Sequence, residues 1–339
     1  MTRISVAMAT YNGSGFLSEQ LDSLAAQSRL PDELVVGDDG STDSTLEIVE
    51  NFRRNAPFPV HIHRNEVNLG FAGNFLSTAQ RCNGDWIAFC DQDDVWLPNK
   101  LSDAVTAIEV TPNCCMVLQN AWLSDKMLSA RGRKFPDKIS PGSYGANTQY
   151  GFWVWLGCLQ TVDRRILQLW DRKSLPRNYF AAHPQISHDK WTCIIANAIG
   201  GIVVLDEPAA LYRRHDDALT GDYAQQSLVE RVSKARSVSA DHYDFLADVA
   251  GEYSGYMEYL SKYVDDLKWS SAFRNGAYSF RELEVIQRLR ADLYNGNRLS
   301  SRLRSFETIF RKGGYFGSPF FAMGARSATK DAFCVMFGA

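Results

Sequence analysis

The sequence predicts an α/β fold, in which a mostly parallel sheet is flanked by helices and followed by a helical C-terminal extension. Two patterns predict this fold. In the first hundred residues, short β-branched apolar runs alternate with segments of helical period, as in a parallel sheet covered by helices. From Gln225 onward these apolar runs disappear, and helical spacing with interleaved charge replaces them.

Four strands are predicted in the first part of the chain, and a helix follows each of the first three. The strands are Ile4 to Ala9, Glu33 to Gly37, Val60 to His63 and Trp86 to Cys90. The helices are Phe16 to Gln27, Ser44 to Arg54 and Ala72 to Arg81. Ligands of open parallel sheets bind at the carboxyl ends of the strands. We therefore expect the polar residues at 10–13, 38–41, 65–70 and 91–94 to lie together.

In the middle of the chain, the pattern predicts two short strands, Met116 to Gln119 and Leu159 to Val162. It also predicts an apolar helix over Lys190 to Ala198 and an extended segment over Leu205 to Leu211. A stretch containing Gly, Pro and Ser at 131–150 predicts a loop. The helical segments that follow are Leu228 to Ser237, Tyr243 to Leu267, Phe280 to Leu293 and Leu299 to Phe310. The predicted parts of the chain are accordingly 1–110, 111–220 and the helical extension 221–339.

Length and charge restrict the classes of protein that fit. The 339 residues suffice for one large or two medium domains. There are 36 Lys and Arg against 39 Asp and Glu, a formal net charge of −3, and 45% of the residues are hydrophobic. This balance disfavours a disordered chain and a basic nucleic-acid-binding surface, so we expect no nucleic-acid partner.

The cysteines and the apolar runs predict a cytoplasmic protein. Seven cysteines are an odd number, and none forms a C-x-x-C pair, so we expect reduced, packed thiols. The apolar run after Arg3 is too short for a signal peptide. The best uncharged apolar stretch, Trp191 to Leu205, falls short of the roughly 20 residues that span a bilayer.

Three carboxylates follow the fourth predicted strand within four residues: Asp91, Asp93 and Asp94. A hard divalent cation such as Mg²⁺ or Mn²⁺ would relieve the repulsion between them, and carboxylate oxygens suit such an ion. The alternative is a solvated acidic turn. A second acidic pair, Asp38 and Asp39, ends another strand at the same predicted edge, which favours the metal site.

Four motifs in this order resemble glycosyltransferase family 2. They are the first strand with the residues after it, Glu33 to Asp43, Asn65 to Gly70 and Gly84 to Asp94. The resemblance implies a GT-A fold, a nucleoside diphosphate sugar donor, a divalent metal and inversion at the anomeric carbon. It further implies that Thr10, Tyr11 and Asn12 border the nucleotide, that Asp39 binds the base and that Asp91 approaches the ribose.

The same resemblance implies the metal ligands. Asp93 would ligate the cation, and the run from Tyr212 to His215 is similar to the end of the catalytic core in rhamnosyltransferase-like members. His215 would then be a further ligand, and Arg213, chosen over Arg214, would contact the diphosphate. The alternative is a basic surface turn offset by the neighbouring acids.

A candidate general base lies at the start of the apolar helix, in the run from Ser187 to Trp191. Direct displacement needs a carboxylate that accepts the proton of the acceptor hydroxyl, and Asp189 is our candidate. His188 and Asp189 with an aromatic residue at 191 match the variant seen among rhamnosyltransferase-like members. The alternative is that Asp189 only caps the helix, since a carboxylate is stabilising at a helix N-terminus.

We assign two segments to the acceptor site: the aromatic run from Gly151 to Cys158, and His188, which directly precedes Asp189. Trp153 and Trp155 would share one face of a strand, where they either stack on a sugar or belong to the core. Gly157 with Cys158 resembles the small-residue turn near the acceptor site of the family. The apolar character of this run supports a lipid-linked glycan as the acceptor.

Basic and apolar residues alternate from Arg298 to Lys312, before an uncharged aromatic segment at 313–325. A basic amphipathic helix of this kind predicts contact with an anionic membrane surface. Docking on the catalytic region and a homo-oligomer interface are the alternatives.

The predicted function is transfer of L-rhamnose from dTDP-rhamnose to a glycan acceptor in bacterial surface polysaccharide synthesis, such as that of O-antigen. The choice of dTDP-rhamnose as the donor rests on the resemblance alone. One alternative is a galactosyl- or glucosyltransferase that uses a UDP-sugar, and another is a noncatalytic protein that binds sugar nucleotides. A dehydrogenase is disfavoured because no G-x-G-x-x-G follows the first strand.

Overall fold

A computed structural model describes residues 2–135, 140–171, 175–179, 185–214 and 239–338, and for residues 130–135 it describes the backbone only. Within these ranges the chain forms one mixed sheet flanked by helices, followed by a helical region. The predicted α/β fold is therefore confirmed.

The first ninety residues form the parallel part of the sheet. Its elements are β1 (Ile4–Thr10), α1 (Leu17–Ala25), β2 (Glu33–Asp38), α2 (Thr45–Arg53), β3 (Val60–Arg64), α3 (Gly70–Gln80) and β4 (Trp86–Cys90). β1 pairs in parallel with β2 and β4, and β2 pairs in parallel with β3. β1, β2 and β4 are almost wholly buried, which explains their continuous apolar runs. All four strands predicted here are confirmed, with ends that differ by at most one residue.

The second part of the sheet contains antiparallel strands. Its elements are β5 (Val95–Trp96), α4 (Lys100–Val110), β6 (Met116–Ser124), β7 (Ala130–Phe135), β8 (Gly142–Tyr144), β9 (Gln160–Asp163), α5 (Arg164–Leu167), α6 (His188–Ile199) and β10 (Ile202–Arg213). The strand order is β3-β2-β1-β4-β9-β6-β10-β5, with β7 beside β6 and β8 beside β10. β9 lies antiparallel between β4 and β6, and so joins the two parts.

The C-terminal region contains α7 (Ala240–Tyr263), α8 (Leu267–Asn295), α9 (Leu299–Arg311) and α10 (Gly324–Phe337). The predicted helix over Tyr243 to Leu267 starts three residues late and runs past the end of α7 at Tyr263. Asp266 caps the start of α8 by accepting hydrogen bonds from the N–H groups of Lys268 and Trp269. The prediction for Phe280 to Leu293 is correspondingly too short. The predicted helix over Leu228 to Ser237 lies outside the described residues.

The helical region shares a core with the sheet. Trp191 of α6 lies in the same buried apolar cluster as Tyr253 of α7 and Phe273 of α8, and its indole N–H donates to the Tyr256 hydroxyl at 3.0 Å. All seven cysteines are buried and free, as the odd count predicts. Among the described helices, none is both long and apolar enough to cross a bilayer.

A buried ion pair fixes α10 to α8. Asp331 is 0% exposed, and its two oxygens accept hydrogen bonds at 2.8 Å from Nε and Nη2 of Arg290. The hydroxyls of Tyr294 and Tyr315 donate to the same carboxylate at 3.0 Å each. Every partner of this charge is supplied by the protein, so the pair depends on all four side chains being in place.

We predict that Asp331→Asn lowers the free energy of unfolding by about 3 to 5 kcal/mol, because it leaves the Arg290 guanidinium buried without its counter-charge. Urea denaturation followed by circular dichroism measures this change. Glu307→Gln is the control, since it breaks the exposed pair with Arg311 and should change stability by less than about 0.5 kcal/mol. A loss below about 1 kcal/mol for Asp331→Asn would show that the pair is dispensable.

Candidate functional site

The acidic residues after β4 gather at the carboxyl end of the sheet. Asp91 and Asp93 are half-buried, and Asp94 is buried. One carboxylate oxygen each of Asp91 and Asp94 and the Sγ atom of Cys158 all lie within 4.8 Å of one another. The sequence does not predict Cys158 at this position, because it comes from the turn before β9 and reaches Asp91 and Asp94 only through the fold.

Burial makes this cluster electrostatically costly without a cation. Burial raises the pKa of Asp91 well above its usual range, and the charges of Asp93 and Asp94 raise it further. Burial likewise raises the pKa of Asp94 to about 7, with Asp93 as the next cause. Oδ2 of Asp94 is buried and has no hydrogen-bond partner within the described residues. These residues therefore fit a divalent cation of the predicted kind, for which a carboxylate oxygen is a suitable ligand.

Arg213 holds the acidic loop in place instead of facing a diphosphate. Its Nε donates to the carbonyl of Asp93 and its Nη1 to the carbonyl of Lys126, both at 2.6 Å, and its Nη2 pairs with Glu19. Its main-chain N–H donates to Oδ1 of Asp94 at 3.0 Å. The side chain is 2% exposed, so its donors point into the protein. The predicted contact with a diphosphate is corrected accordingly.

Lys100 places a positive charge close to the carboxylates, a role that the sequence does not predict. The residue lies in the first turn of α4 and is 1% exposed. Its Nζ donates to the Cys158 carbonyl at 2.9 Å and to Oε1 of Gln119 at 3.4 Å. Burial lowers the pKa of Lys100 to about 8, and the charges of Asp94 and Asp91 oppose this effect. The ammonium group thus offsets part of the negative charge of the cluster.

A cleft of about 550 Å³ opens beside the acidic loop. It is lined by Tyr11, Asp39, Gly40, Arg64, Asn65, Glu66, Val67 and Asn68. Tyr11 is 52% exposed, and its main chain is tied to the side chain of Gln92 by hydrogen bonds of 2.9 and 3.1 Å. Two residues predicted to contact the nucleotide, Tyr11 and Asp39, therefore meet at one cleft.

The carboxylate of Asp39 orders the loop at 65–70. It accepts hydrogen bonds from the N–H groups of Leu69 at 2.8 Å and Gly70 at 2.9 Å, and from Nδ2 of Asn65 at 2.9 Å. Gly70 has a φ of +71°, a backbone conformation that glycine adopts without strain. Asp39 thus shapes the cleft, and binding of a base would add to this role.

Thr10 and Asn12 support the turn after β1. The Thr10 side chain is 1% exposed and donates to Oδ2 of Asp38 at 3.1 Å, so the side chain points into the protein. Oδ1 of Asn12 accepts from the N–H of Thr42 at 2.9 Å. The Asn12 side chain therefore joins the ends of β1 and β2.

Asp189 lies in the first turn of α6 and is half-buried. Its Oδ1 accepts a hydrogen bond from the N–H of Lys190 at 2.8 Å, a contact that agrees with the alternative in which Asp189 stabilises the start of the helix. The preceding residue, His188, packs on Phe89 of β4 and on Gly157 next to Cys158, so Asp189 lies at the same sheet edge as Asp91. The structure thus brings the candidate base to the acidic cluster.

His188 belongs to the core and is not free to contact an acceptor. Its ring stacks on Phe75 at 4.1 Å between centroids and meets the edge of Phe89 at 4.9 Å. Burial lowers the pKa of His188 to about 4, so the ring is neutral. A Cβ atom on Gly157 would lie 2.2 Å from Nε2 of His188, which explains glycine at that position.

The predicted strand containing Trp153 and Trp155 is absent, since residues 151–156 form a turn and irregular backbone within the described chain. Trp155 is 1% exposed, and its indole N–H donates to the carbonyl of Gln119 at 2.7 Å. Trp155 is therefore a core residue, as one of the two alternatives had it, while Trp153 is half-buried beside it. His215, the second predicted metal ligand, lies outside the described residues.

Asp94→Asn tests the cost of the buried charge. The pKa of Asp94 in the folded protein is above its ordinary value of 3.8. The folded state therefore binds more protons than the unfolded state between that value and about 7, and wild-type stability falls as the pH rises through this window. Asn keeps an oxygen for the N–H of Arg213 and carries no charge.

We predict that the melting temperature of Asp94→Asn, relative to wild type without metal, increases as the pH is raised from about 5 to about 8. Differential scanning fluorimetry at several pH values measures this difference. The exposed Asp241→Asn is the control and should follow the wild-type profile. Parallel profiles for wild type and Asp94→Asn would show that the buried carboxyl does not titrate in this window.

Comparisons with known proteins agree with the fold. The sequence model described as Glycosyl transferase family 2 matches residues 5–156. The chain is 30% identical over 226 residues to dTDP-rhamnosyl transferase RfbG of Shigella flexneri, which covers 63% of this chain and 73% of that protein. It is 35% identical over 108 residues to abequosyltransferase RfbV of Salmonella typhimurium, covering 31% and 32%.

A solved structure has a similar fold along most of the chain. The crystal structure of S. aureus TarS 1-349 in complex with UDP superposes with a TM-score of 0.52 at 20% identity, and the match covers 93% of each chain. Such a likeness supports the GT-A fold, while the matched motifs and the similarity to RfbG identify the family. The chain belongs to glycosyl transferase family 2.

Proposed function

We propose that this protein transfers a sugar, with inversion, from a nucleoside diphosphate donor to a glycan acceptor, with the aid of a divalent metal. One observation carries the proposal: Asp189 lies at the same sheet edge as Asp91. His188, directly before Asp189, packs on Phe89 at the end of β4 and on Gly157 next to Cys158, and the cleft that Tyr11 and Asp39 line opens at this edge. A candidate base, candidate metal ligands and a candidate nucleotide site thus occupy one edge of the sheet.

In the proposed reaction Asp189 acts as the general base. Its carboxylate accepts the proton of the acceptor hydroxyl as that oxygen attacks the anomeric carbon from the side opposite the diphosphate. The bond to the diphosphate breaks as the new glycosidic bond forms, so the configuration inverts. The residues at the cleft hold the donor: Tyr11 and Asn12 beside the nucleotide, Asp39 toward the base and Asp91 toward the ribose.

The cation, Mg²⁺ or Mn²⁺, would be held by Asp93 and His215, in the acidic cluster that also contains the half-buried Asp91 and the buried Asp94. When bound, such an ion neutralises negative charge on the departing diphosphate. The buried carboxylate oxygen of Asp94 without a donor is the observation that supports a cation at this position. Arg213 would act indirectly, by holding the loop that carries Asp93.

We propose dTDP-L-rhamnose as the donor and a glycan, free or lipid-linked, as the acceptor in surface polysaccharide synthesis at the cytoplasmic side. The similarity to a dTDP-rhamnosyl transferase supports this donor. A UDP-hexose is the second candidate, because a structure of S. aureus TarS in complex with UDP-GlcNAc superposes with a TM-score of 0.53 at 20% identity, covering 91% of this chain and 87% of that one.

A panel of nucleotide sugars tests the function. Purified protein is incubated with each donor, with either Mn²⁺ or EDTA, and mass spectrometry detects the released nucleoside diphosphate. We expect release of dTDP from dTDP-rhamnose with Mn²⁺ and little release with EDTA. Release of UDP from a UDP-hexose alone would favour the second donor, and binding of donors without any turnover would favour a noncatalytic protein.

Asp189→Asn is predicted to lower turnover by about 10² to 10⁴ and to leave donor binding near wild type, because it removes the proton acceptor and keeps the size of the side chain. Turnover comes from diphosphate release, and binding comes from calorimetry with dTDP and Mn²⁺. A loss of turnover below about tenfold would show that Asp189 is not the general base and only stabilises the start of α6.

Asp93→Ala is predicted to abolish metal-dependent turnover while the melting temperature without metal stays within a few degrees of wild type, since the carboxylate leaves a mutually repelling cluster. Asp241→Ala, an exposed change far along the sequence, is the matched control and should keep wild-type turnover. Wild-type metal-dependent turnover in Asp93→Ala would remove the residue from the metal site.

A further inference from the structure

We propose that α9 and α10 form a surface that binds the anionic headgroup region of a lipid bilayer. The surface is defined by seven exposed apolar side chains: Leu299, Leu303, Phe310, Phe316, Phe333, Met336 and Phe337. Its exposed basic side chains are Arg298, Arg304, Arg311, Lys312 and Arg326. This basic apolar face extends the proposed function by placing the protein at a membrane, and its physical basis does not depend on the reaction.

The apolar side chains are too exposed to belong to the core of the chain. Their exposed fractions run from 48% for Leu303 to 70% for Phe337. Four of them form two ring pairs, since the rings of Phe310 and Phe316 lie 6.3 Å apart and those of Phe333 and Phe337 lie 4.6 Å apart. Groups of exposed apolar side chains mark interaction sites.

Each helix turns only part of its apolar surface inward. In α9, Ile309 is the buried residue, whereas Leu299, Leu303 and Phe310 recur at helical spacing and stay exposed. In α10 the buried residues are Asp331, Cys334 and Val335, and the exposed Phe333, Met336 and Phe337 lie on the other side. The two helices thus have an inner face that packs and an outer face that does not.

The exposed parts of α9 and α10 lie close together. A Cβ atom on Gly338, directly after α10, would lie 3.2 Å from Nη1 of Arg302 in α9. Because the Arg302 side chain also reaches the carbonyl of Gly296, the end of α10 that carries Phe337 lies near the start of α9. Phe316 contacts Phe310 at the other end of α9, so the apolar side chains extend along the length of that helix.

The charge of the region selects the occupant. Residues 298–338 contain seven Lys and Arg and two Asp and Glu, a net charge of +5, and one of the two acids is the buried Asp331. In a symmetric dimer through this face, positive charge would meet positive charge, which disfavours a second copy. An anionic bilayer offers negative charge to the basic groups and an apolar layer to the Phe, Leu and Met side chains.

The basic apolar face is joined to the side of the molecule where we expect the acceptor. The N–H of Gly151 donates to the carbonyl of Phe320, between α9 and α10, at 2.8 Å. A Cβ atom on Gly151 would lie 2.8 Å from the Phe320 ring. The segment that begins at Gly151 leads to Gly157, which contacts His188 beside Asp189. The segment between α9 and α10 is thus packed against the run that leads to the candidate base.

Vesicle sedimentation tests the proposal. The full chain is mixed with phosphatidylglycerol vesicles or with phosphatidylcholine vesicles, and the bound fraction gives a partition coefficient. We expect binding to phosphatidylglycerol that weakens as salt rises from about 0.01 M to about 1 M, since the Debye length falls from about 30 Å to about 3 Å. Binding to phosphatidylcholine should be much weaker at low salt.

Two double variants separate the apolar and the basic contributions. Phe333→Ser with Phe337→Ser should lower the partition coefficient about tenfold or more, and Arg304→Gln with Arg326→Gln should also reduce its salt dependence. Val110→Ser with Met127→Ser is the matched control, because these side chains are 72% and 83% exposed outside the face. The control should bind vesicles as wild type does.

Several outcomes would overturn the proposal. One is equal vesicle binding by wild type and the Phe333/Phe337 variant, and another is equal binding of wild type to both lipids. A third is a wild-type dimer in sedimentation velocity that becomes a monomer in this variant. Diphosphate release without vesicles should be the same in wild type and the variant. If wild type releases no diphosphate from any donor, the proposed function fails, whereas the vesicle result still decides the membrane surface.

Discussion

The placement of three carboxylates at the end of β4 is the constraint on which the site depends. Asp94 is buried with one oxygen lacking a partner, and burial raises the pKa of Asp91 well above its usual range. Burying like charges together costs free energy unless opposite charge compensates it. The protein supplies part of that compensation through the buried ammonium group of Lys100 and through the main-chain N–H of Arg213, which donates to Asp94. The negative charge that remains is the basis of the proposed cation site.

The loop that carries these carboxylates is held in place by segments that are distant in the sequence. Arg213, at the end of β10, binds the Asp93 carbonyl, so the last strand of the sheet holds the loop after the fourth. Gln92 ties that loop to Tyr11 at the end of β1. The acidic loop is thus fixed from two sides by groups that do not themselves face the cleft. Such supporting contacts hold the reacting groups of an enzyme in position.

The sequence predicts the elements whose signal is local. A strand buried on both faces is a continuous apolar run, so β1, β2 and β4 could be found, and the acidic residues after β4 could be assigned to the sheet edge. The burial of Lys100 could not be predicted, because it depends on contacts across the fold, and for Trp155 the sequence left the core and the acceptor site as alternatives. The short strands β5, β7 and β8 and the helix α10 were missed as well, since none carries a long apolar period.

Linked binding of metal and nucleotide tests the central claim most directly. If the carboxylates after β4 hold a cation that contacts the diphosphate, Mn²⁺ and dTDP must strengthen each other's binding by the same factor. Calorimetric titration of dTDP into the protein, with Mn²⁺ and then with EDTA, measures this coupling. We expect an affinity for dTDP at least about tenfold higher with Mn²⁺, a coupling of about 1.4 kcal/mol. Equal affinities under the two conditions would contradict a metal site that serves the nucleotide.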